Sequence, residues 1–148
     1  MNPKTRSLVA TVLLVVAVAL LLRNHALVAR TPLGIGLQGL AVALMLWARL
    51  TFGMRSFHAT ANPTEGGLVT AGPYRYWRHP IYAAVLLFVW SGVLTHGAAP
   101  TTLDLALGVF ATMMTAVRIQ AEEELLRASM PEYAAYAART KRLIPFVF

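Results

Sequence analysis

Apolar residues in this chain fall in long uncharged runs rather than in the alternating or one-face patterns of a soluble fold. The first run covers residues 7–22, after Lys4 and Arg6 and before Arg23. A second covers 31–48 between Arg30 and Arg49, and a third covers 80–95. The fourth, 97–117, is interrupted by Asp104 and closed by Arg118. Crossing a bilayer takes about 20 apolar residues, within a range of about 17–25. Runs one and three are slightly short, which snorkelling Arg and Lys side chains and local thinning of the bilayer can absorb. The pattern predicts an all-α membrane protein of one domain, with about four transmembrane helices and a cytoplasmic C-terminal helical extension.

The first run has the basic start of a secretory signal. It is long for the apolar core of one, and Leu27 is ill suited to a position three residues ahead of a cut. It reads as an uncleaved anchor. Asp104 follows Pro100, Thr101 and Thr102, so it is expected as a first-turn carboxylate near the outer surface.

Composition sharpens this picture. The 148 residues are 57% hydrophobic and 13% charged, where a soluble domain carries about 25% charged residues. Too little polar surface is left to cover a water-soluble globule. The net charge of +7 sits at the ends of the apolar runs, which points to topology and lipid head groups rather than nucleic acid. Four spans put Lys4, Arg6, Arg49, Arg55, Arg75, Arg78, Arg118, Arg127, Arg139, Lys141 and Arg142 on one side, and only Arg23 and Arg30 on the other. The crowded side is therefore expected in the cytoplasm, with both termini, as in a bacterial or archaeal-type inner membrane. Cysteine is absent, so disulfides, thiolate nucleophiles and cysteine metal sites are excluded.

Chemistry is expected in the loop 55–79 and the tail 118–148. Gly66-Gly67 and Gly72-Pro73 turn the loop sharply around Leu68-Val69. Paired glycines allow close approach of a ligand to the backbone, though a plain interfacial turn accounts for them equally well. Pro80 suits the first position of a helix, with His79 at its mouth and Tyr82 one turn on. Tyr76, Trp77 and Arg78 read as ordinary belt residues of a membrane boundary. In the tail, Arg118 and Glu122 lie one turn apart on one helix face, while Glu123 and Glu124 point elsewhere. By pattern alone that pair fits a juxtamembrane ion pair as well as a functional site.

At these residues the chain resembles the isoprenylcysteine carboxyl methyltransferase and phospholipid methyltransferase superfamily of integral membrane enzymes. GGLVTAGPYRYWRHPIY, followed after one helical hairpin by RIQAEEELL and PEYAAYAARTKRLIPF, carries the resemblance over about residues 55–146. The first two spans carry no motif. The resemblance implies S-adenosylmethionine as cofactor, with Gly66, Gly67, Leu68 and Val69 as its binding stretch and Tyr74 as the tyrosine of the next turn. It further implies cofactor roles for His79, Pro80, Ile81 and Tyr82, and for the acidic pair Glu122 and Glu123, with Glu122 preferred and the register open by one. Arg118 falls on the arginine assigned to substrate. Ala84 stands where a glycine is common, and the tail has MPEY in place of a longer FGxxY. The chain also lacks the extra spans of eukaryotic members, so substrate identity does not transfer.

These residues suit methyl transfer, which needs nucleophile and methyl about 3–3.5 Å apart and water excluded. Glu122 can pair with the cofactor's ammonium, and His79 or loop amides with its carboxylate. Tyr74 and Tyr82 offer aromatic faces, and Leu68 and Val69 an apolar wall. Arg118 can orient an acidic acceptor. A carboxylate acceptor needs no base, whereas an amine would, with Glu123 or His58 as candidates. The expected function is methyl transfer to a lipophilic acceptor in the membrane, with membrane lipids as partners. A phospholipid N-methyltransferase, a non-enzymatic helical scaffold and, last, a reductase stand as alternatives. Oligomeric state leaves no trace in the sequence.

Overall fold

The computed structural model describes residues 1–53 and 67–143. They form five α-helices: α1 (Pro3–Arg23), α2 (Pro32–Phe52), α3 (Pro80–Thr95), α4 (Thr102–Ser129) and the short α5 (Tyr133–Arg139). A 3-10 turn covers Gly72–Arg75. Among the described residues there is no strand, and one isolated bridge pairs Trp77 with Lys141.

Each long helix starts where its sequence supplies a stop for the orphan N–H groups of the first turn. Asn2 accepts from the Lys4 backbone at 2.9 Å, and Thr31 from that of Gly34 at 3.1 Å. Pro3, Pro32 and Pro80 occupy first-turn positions, where a missing N–H costs nothing. In α4, Thr101 and Asp104 form a reciprocal capping box. The fourth apolar run, expected from residue 97, becomes helical only at Thr102. Gly97 takes a left-handed φ of 99°, and Pro100 disfavours helix in the residue before it.

Helices α1, α2 and α4 are long and apolar enough to cross a bilayer, and α3 is an apolar helix of 16 residues. The chain is an integral membrane protein. At 1.5 Å per residue α4 reaches about 42 Å, against a hydrocarbon core of about 30 Å. Its surplus is the charged part from Arg118 onward, which extends past the apolar run.

The helices pair antiparallel. Asn24 donates to Asp104 at 3.4 Å at one end of the α1–α4 pair, and Arg6 meets Glu124 at 2.7 Å at the other. In the α2–α3 pair, the Gln38 amide donates to the carbonyls of Leu27 (2.8 Å) and Phe88 (3.1 Å). It also accepts from the Ala29 N–H at 3.1 Å. A buried amide with three partners costs little in lipid, where an unpaired one is expensive. Gly92 is required beside this knot, because a Cβ there would collide with the Leu27 carbonyl.

The two pairs meet along α3 and α4. Ala17 and Leu21 of α1, Val89 and Val93 of α3 and Ala111 of α4 form the common core with Leu27. Larger apolar residues such as Val12, Val15, Leu40 and Leu50 face outward, as expected where lipid rather than water is the surrounding solvent. This connectivity brings the N-terminus, the end of α2, the start of α3 and the end of α4 to one end of the bundle. The geometry of that end is set by helix ends, so polar side chains there can converge.

Candidate active site

The chain re-enters the described structure at Gly67, which is exposed with a φ of 80°. Leu68 and Val69 are half-buried and lead to the 3-10 turn. Gly72 takes a φ of 54°, and a Cβ there would press on Thr51 of α2 (Cγ2 at 2.9 Å). The turn is thereby held against the end of α2. Tyr74 is buried and its ring lies 5.4 Å from that of Phe52, while its carbonyl accepts from the Tyr136 hydroxyl at 2.7 Å.

From Trp77, which bridges to Lys141, the chain runs beside the tail. The Arg78 N–H donates to the Lys141 carbonyl at 2.7 Å, and the His79 N–H to that of Arg142 at 3.0 Å. His79 is then the residue before α3, and its ring sits between two carboxylates of α4. Its Nε2 is 3.4 Å from Glu123 Oε1 and its Nδ1 is 3.8 Å from Glu122 Oε2. One turn into α3, Tyr82 donates its hydroxyl hydrogen to Glu122 Oε1 and accepts from Arg118 Nε. Arg118 Nε also lies 3.4 Å from Glu122 Oε1, and its Nη1 donates to the Thr11 hydroxyl of α1. Three helices thus converge on the Arg118 guanidinium, which α1 meets through Thr11 and α3 through Tyr82.

The two glutamates differ in environment. Glu122 keeps 22% of its side-chain surface exposed, Glu123 only 5%. Glu123 receives Arg78 Nε at 2.9 Å, Arg142 at 3.3 Å and Arg127 at 3.5 Å. Burial pushes its carboxyl up, but hydrogen bonds from His79 and Arg78 and the Arg78 charge outweigh that and hold it below the usual carboxylate range. Burial is also the leading cause that raises the Tyr74 phenol, followed by Tyr136 and Glu122 nearby. The Tyr136 phenol is pushed up to about 12, chiefly by burial. Both phenols stay protonated at neutral pH.

Of the residues singled out from sequence, His79, Tyr82, Arg118, Glu122 and Glu123 form one cluster, with Tyr74 beside it. Pro80 is buried as the first residue of α3 and Ile81 is half-buried next to it. Among the described residues no hydrogen bond joins Gly67, Leu68 or Val69 to the cluster. Gly66 and His58 lie outside the described residues.

Two expectations need correcting. Glu123 does not point away from the site: the loop and the tail both press against its side of α4 and bring Arg78, His79 and Arg142 to it. Glu124 does turn off, to Arg6. Arg78 is no belt residue, since its side chain is 8% exposed and directed inward. Tyr76, by contrast, is 46% exposed. Sequence reasoning also passed over Thr11, which sits in a run without motif, and the buried tail tyrosines Tyr133 and Tyr136. Their three-residue spacing was the available signal for one buried face of a short helix.

Comparison with known proteins supplies a family. The model of the isoprenylcysteine carboxyl methyltransferase family matches residues 34–128. The cobalt-zinc-cadmium resistance protein CzcN of Cupriavidus metallidurans is 39% identical over 116 residues, covering 76% of this chain and 49% of that protein. The nickel-cobalt-cadmium resistance protein NccN of Alcaligenes xylosoxydans xylosoxydans is 37% identical over 118 residues, with the same coverage of 76% and 49%. The chain therefore spans about half the length of these curated relatives. No solved structure matches.

Proposed function

The chain belongs to the isoprenylcysteine carboxyl methyltransferase family, and on that premise we propose that it transfers a methyl group from S-adenosylmethionine to a lipophilic acceptor held in the membrane. The observation that carries this reading is the position of Glu122. Its carboxylate is part-exposed at the end of the bundle and flanked by His79 at 3.8 Å and Arg118 at 3.4 Å.

The donor set fits the cofactor's amino-acid end, which carries one ammonium and one carboxylate. Glu122 would take the ammonium, and the His79 ring or the backbone of Gly67, Leu68 and Val69 the carboxylate. When bound, S-adenosylmethionine supplies an electrophilic methyl on a sulfonium. Tyr82 holds Glu122 and Arg118 in register through one hydroxyl. Arg118 would orient the acceptor, which favours an acidic group over a phospholipid amine or a thiol. The surrounding apolar helices keep the acceptor's tail in the bilayer and water away from the reacting atoms. The basic flanks support a cytoplasmic position for this end, where the cofactor would be available, in a bacterial or archaeal-type inner membrane.

Equilibrium binding of S-adenosylhomocysteine to the detergent-purified protein tests the reading. Saturable binding that is lost in the Glu122→Ala, His79→Ala double variant is expected. Absence of binding to the unaltered protein would overturn it.

The names of the relatives favour a second reading, service in metal resistance without catalysis. Among the described residues no group of three His, Asp or Glu side chains is placed to hold a metal ion, and service as a scaffold needs none. Metal tolerance restored equally by the unaltered chain and by Glu122→Gln would favour the scaffold over the enzyme.

A further inference from the structure

We infer that Arg78 is a positioning residue that clamps the C-terminal tail to the loop and to α4, and so builds the end of the site that holds His79. The inference deepens the methyl-transfer reading and takes its ligand from it.

One guanidinium serves three partners. Its Nε donates to Glu123 Oε1 at 2.9 Å, while its Nη1 donates to the Ala137 carbonyl at 2.9 Å and to the Thr140 carbonyl. Those carbonyls close α5, where acceptors are left without helical partners and a cation is favoured. The backbone of the same segment grips the tail a second time, through Lys141 and Arg142. Tyr136 adds a third hold by donating to Tyr74.

Arg78 touches neither Glu122 nor Arg118 in this set of bonds. It acts through Glu123, whose Oε1 it fixes 3.4 Å from His79 Nε2, with the opposite ring nitrogen facing Glu122. Rotation of Glu123 would release the ring, and with it the side of the site opposite Arg118. Lysine cannot stand in, because a single ammonium lacks the planar fork that spans a carboxylate and two carbonyls. The other groups facing Glu123 are His79, Arg127 of its own helix, Arg142 of the tail and Tyr133 of α5.

The test uses the full chain in detergent, with S-adenosylhomocysteine as probe, well below each variant's thermal midpoint. Arg78→Lys and Arg78→Gln are each expected to weaken binding about tenfold or more, the loss of a charge-assisted bond. Arg127→Gln, which removes an exposed partner of the same carboxylate, should stay within about twofold. In Arg78→Gln the acid limb of binding should move to higher pH, because Glu123 loses the cation that keeps it ionised. Hydrogen exchange over 133–143 should rise in both Arg78 variants.

Wild-type affinity in Arg78→Lys overturns the inference and leaves methyl transfer standing. Weakened binding in Arg78→Gln with an unmoved pH limb and unchanged tail exchange reduces Arg78 to a packing residue and likewise overturns it. If the unaltered protein binds no probe, the methyl-transfer reading falls, and tail exchange alone decides the clamp: raised exchange in Arg78→Lys supports it, unchanged exchange overturns it.

Discussion

Tyr82 donates to Glu122 while accepting from Arg118, so one phenol on α3 sets the mutual orientation of the two charged side chains of α4. The two charges sit one helical turn apart and would meet without help, but with many rotamers open to them. The phenol selects one. Tyr82→Phe keeps the ring and removes the link. A hydrogen bond to a charged group contributes about 1.5–3 kcal/mol, so affinity for S-adenosylhomocysteine should fall about tenfold or more. Titration calorimetry on the detergent-purified variant checks this.

Backbone contact makes a different prediction for two glycines. A Cβ on Gly92 runs into the Leu27 carbonyl, whereas nothing lies within 4 Å of one on Gly36. Gly92→Ala should therefore destabilise by about 1–3 kcal/mol, the range of overpacked cores. Gly36→Ala should be neutral or stabilising by up to about 1 kcal/mol, through better helix propensity. Thermal midpoints of the two variants in detergent, read against the parent, separate them.

Acid should loosen the end of the bundle through Glu123. Its folded-state carboxyl is held below the ordinary glutamate value of 4.5, so the stabilisation is complete above that value and is lost as pH falls through it toward the folded one. The thermal midpoint should hold steady near neutrality and drop once pH falls below about 4.5. Glu123→Gln should lie lower at neutral pH and lose part of that acid slope. A slope unchanged by the substitution would show that other carboxylates carry it.

Topology can be read directly, because the chain contains no cysteine. Single variants Arg30→Cys and Arg75→Cys place one thiol at each end of the bundle. In intact cells a membrane-impermeant maleimide should label Arg30→Cys and spare Arg75→Cys until the membrane is opened. The reverse pattern would invert the orientation drawn from the basic flanks.

How much of this was legible depended on the range of the interaction. The four apolar runs declare themselves because lipid demands a continuous apolar exterior, whatever the tertiary contacts. The Arg118–Glu122 pair is likewise local, one turn of one helix. Arg78 was not legible: a basic residue among aromatics at a membrane edge looks the same whether it faces head groups or protein. Only the return of the tail decides, and that contact joins residues 59 and 62 positions apart. Thr11 shows the same limit more sharply, since its partner Arg118 is 107 positions away in the chain. Glu123 misled for a geometric reason. It lies about 100° around α4 from Glu122, and nothing in the helix itself says that two other segments close over that side. The late start of α4 at Thr102, in contrast, was readable from Gly97, Pro100 and Thr101 once turn chemistry was given weight over hydropathy.

The most direct measurement is transfer itself. Membranes containing the chain, incubated with methyl-labelled S-adenosylmethionine and then extracted with organic solvent, should yield a labelled lipophilic product that membranes carrying Glu122→Gln do not. No extractable label above that of membranes lacking the chain, or equal label from Glu122→Gln, would contradict a methyltransferase built on this cluster.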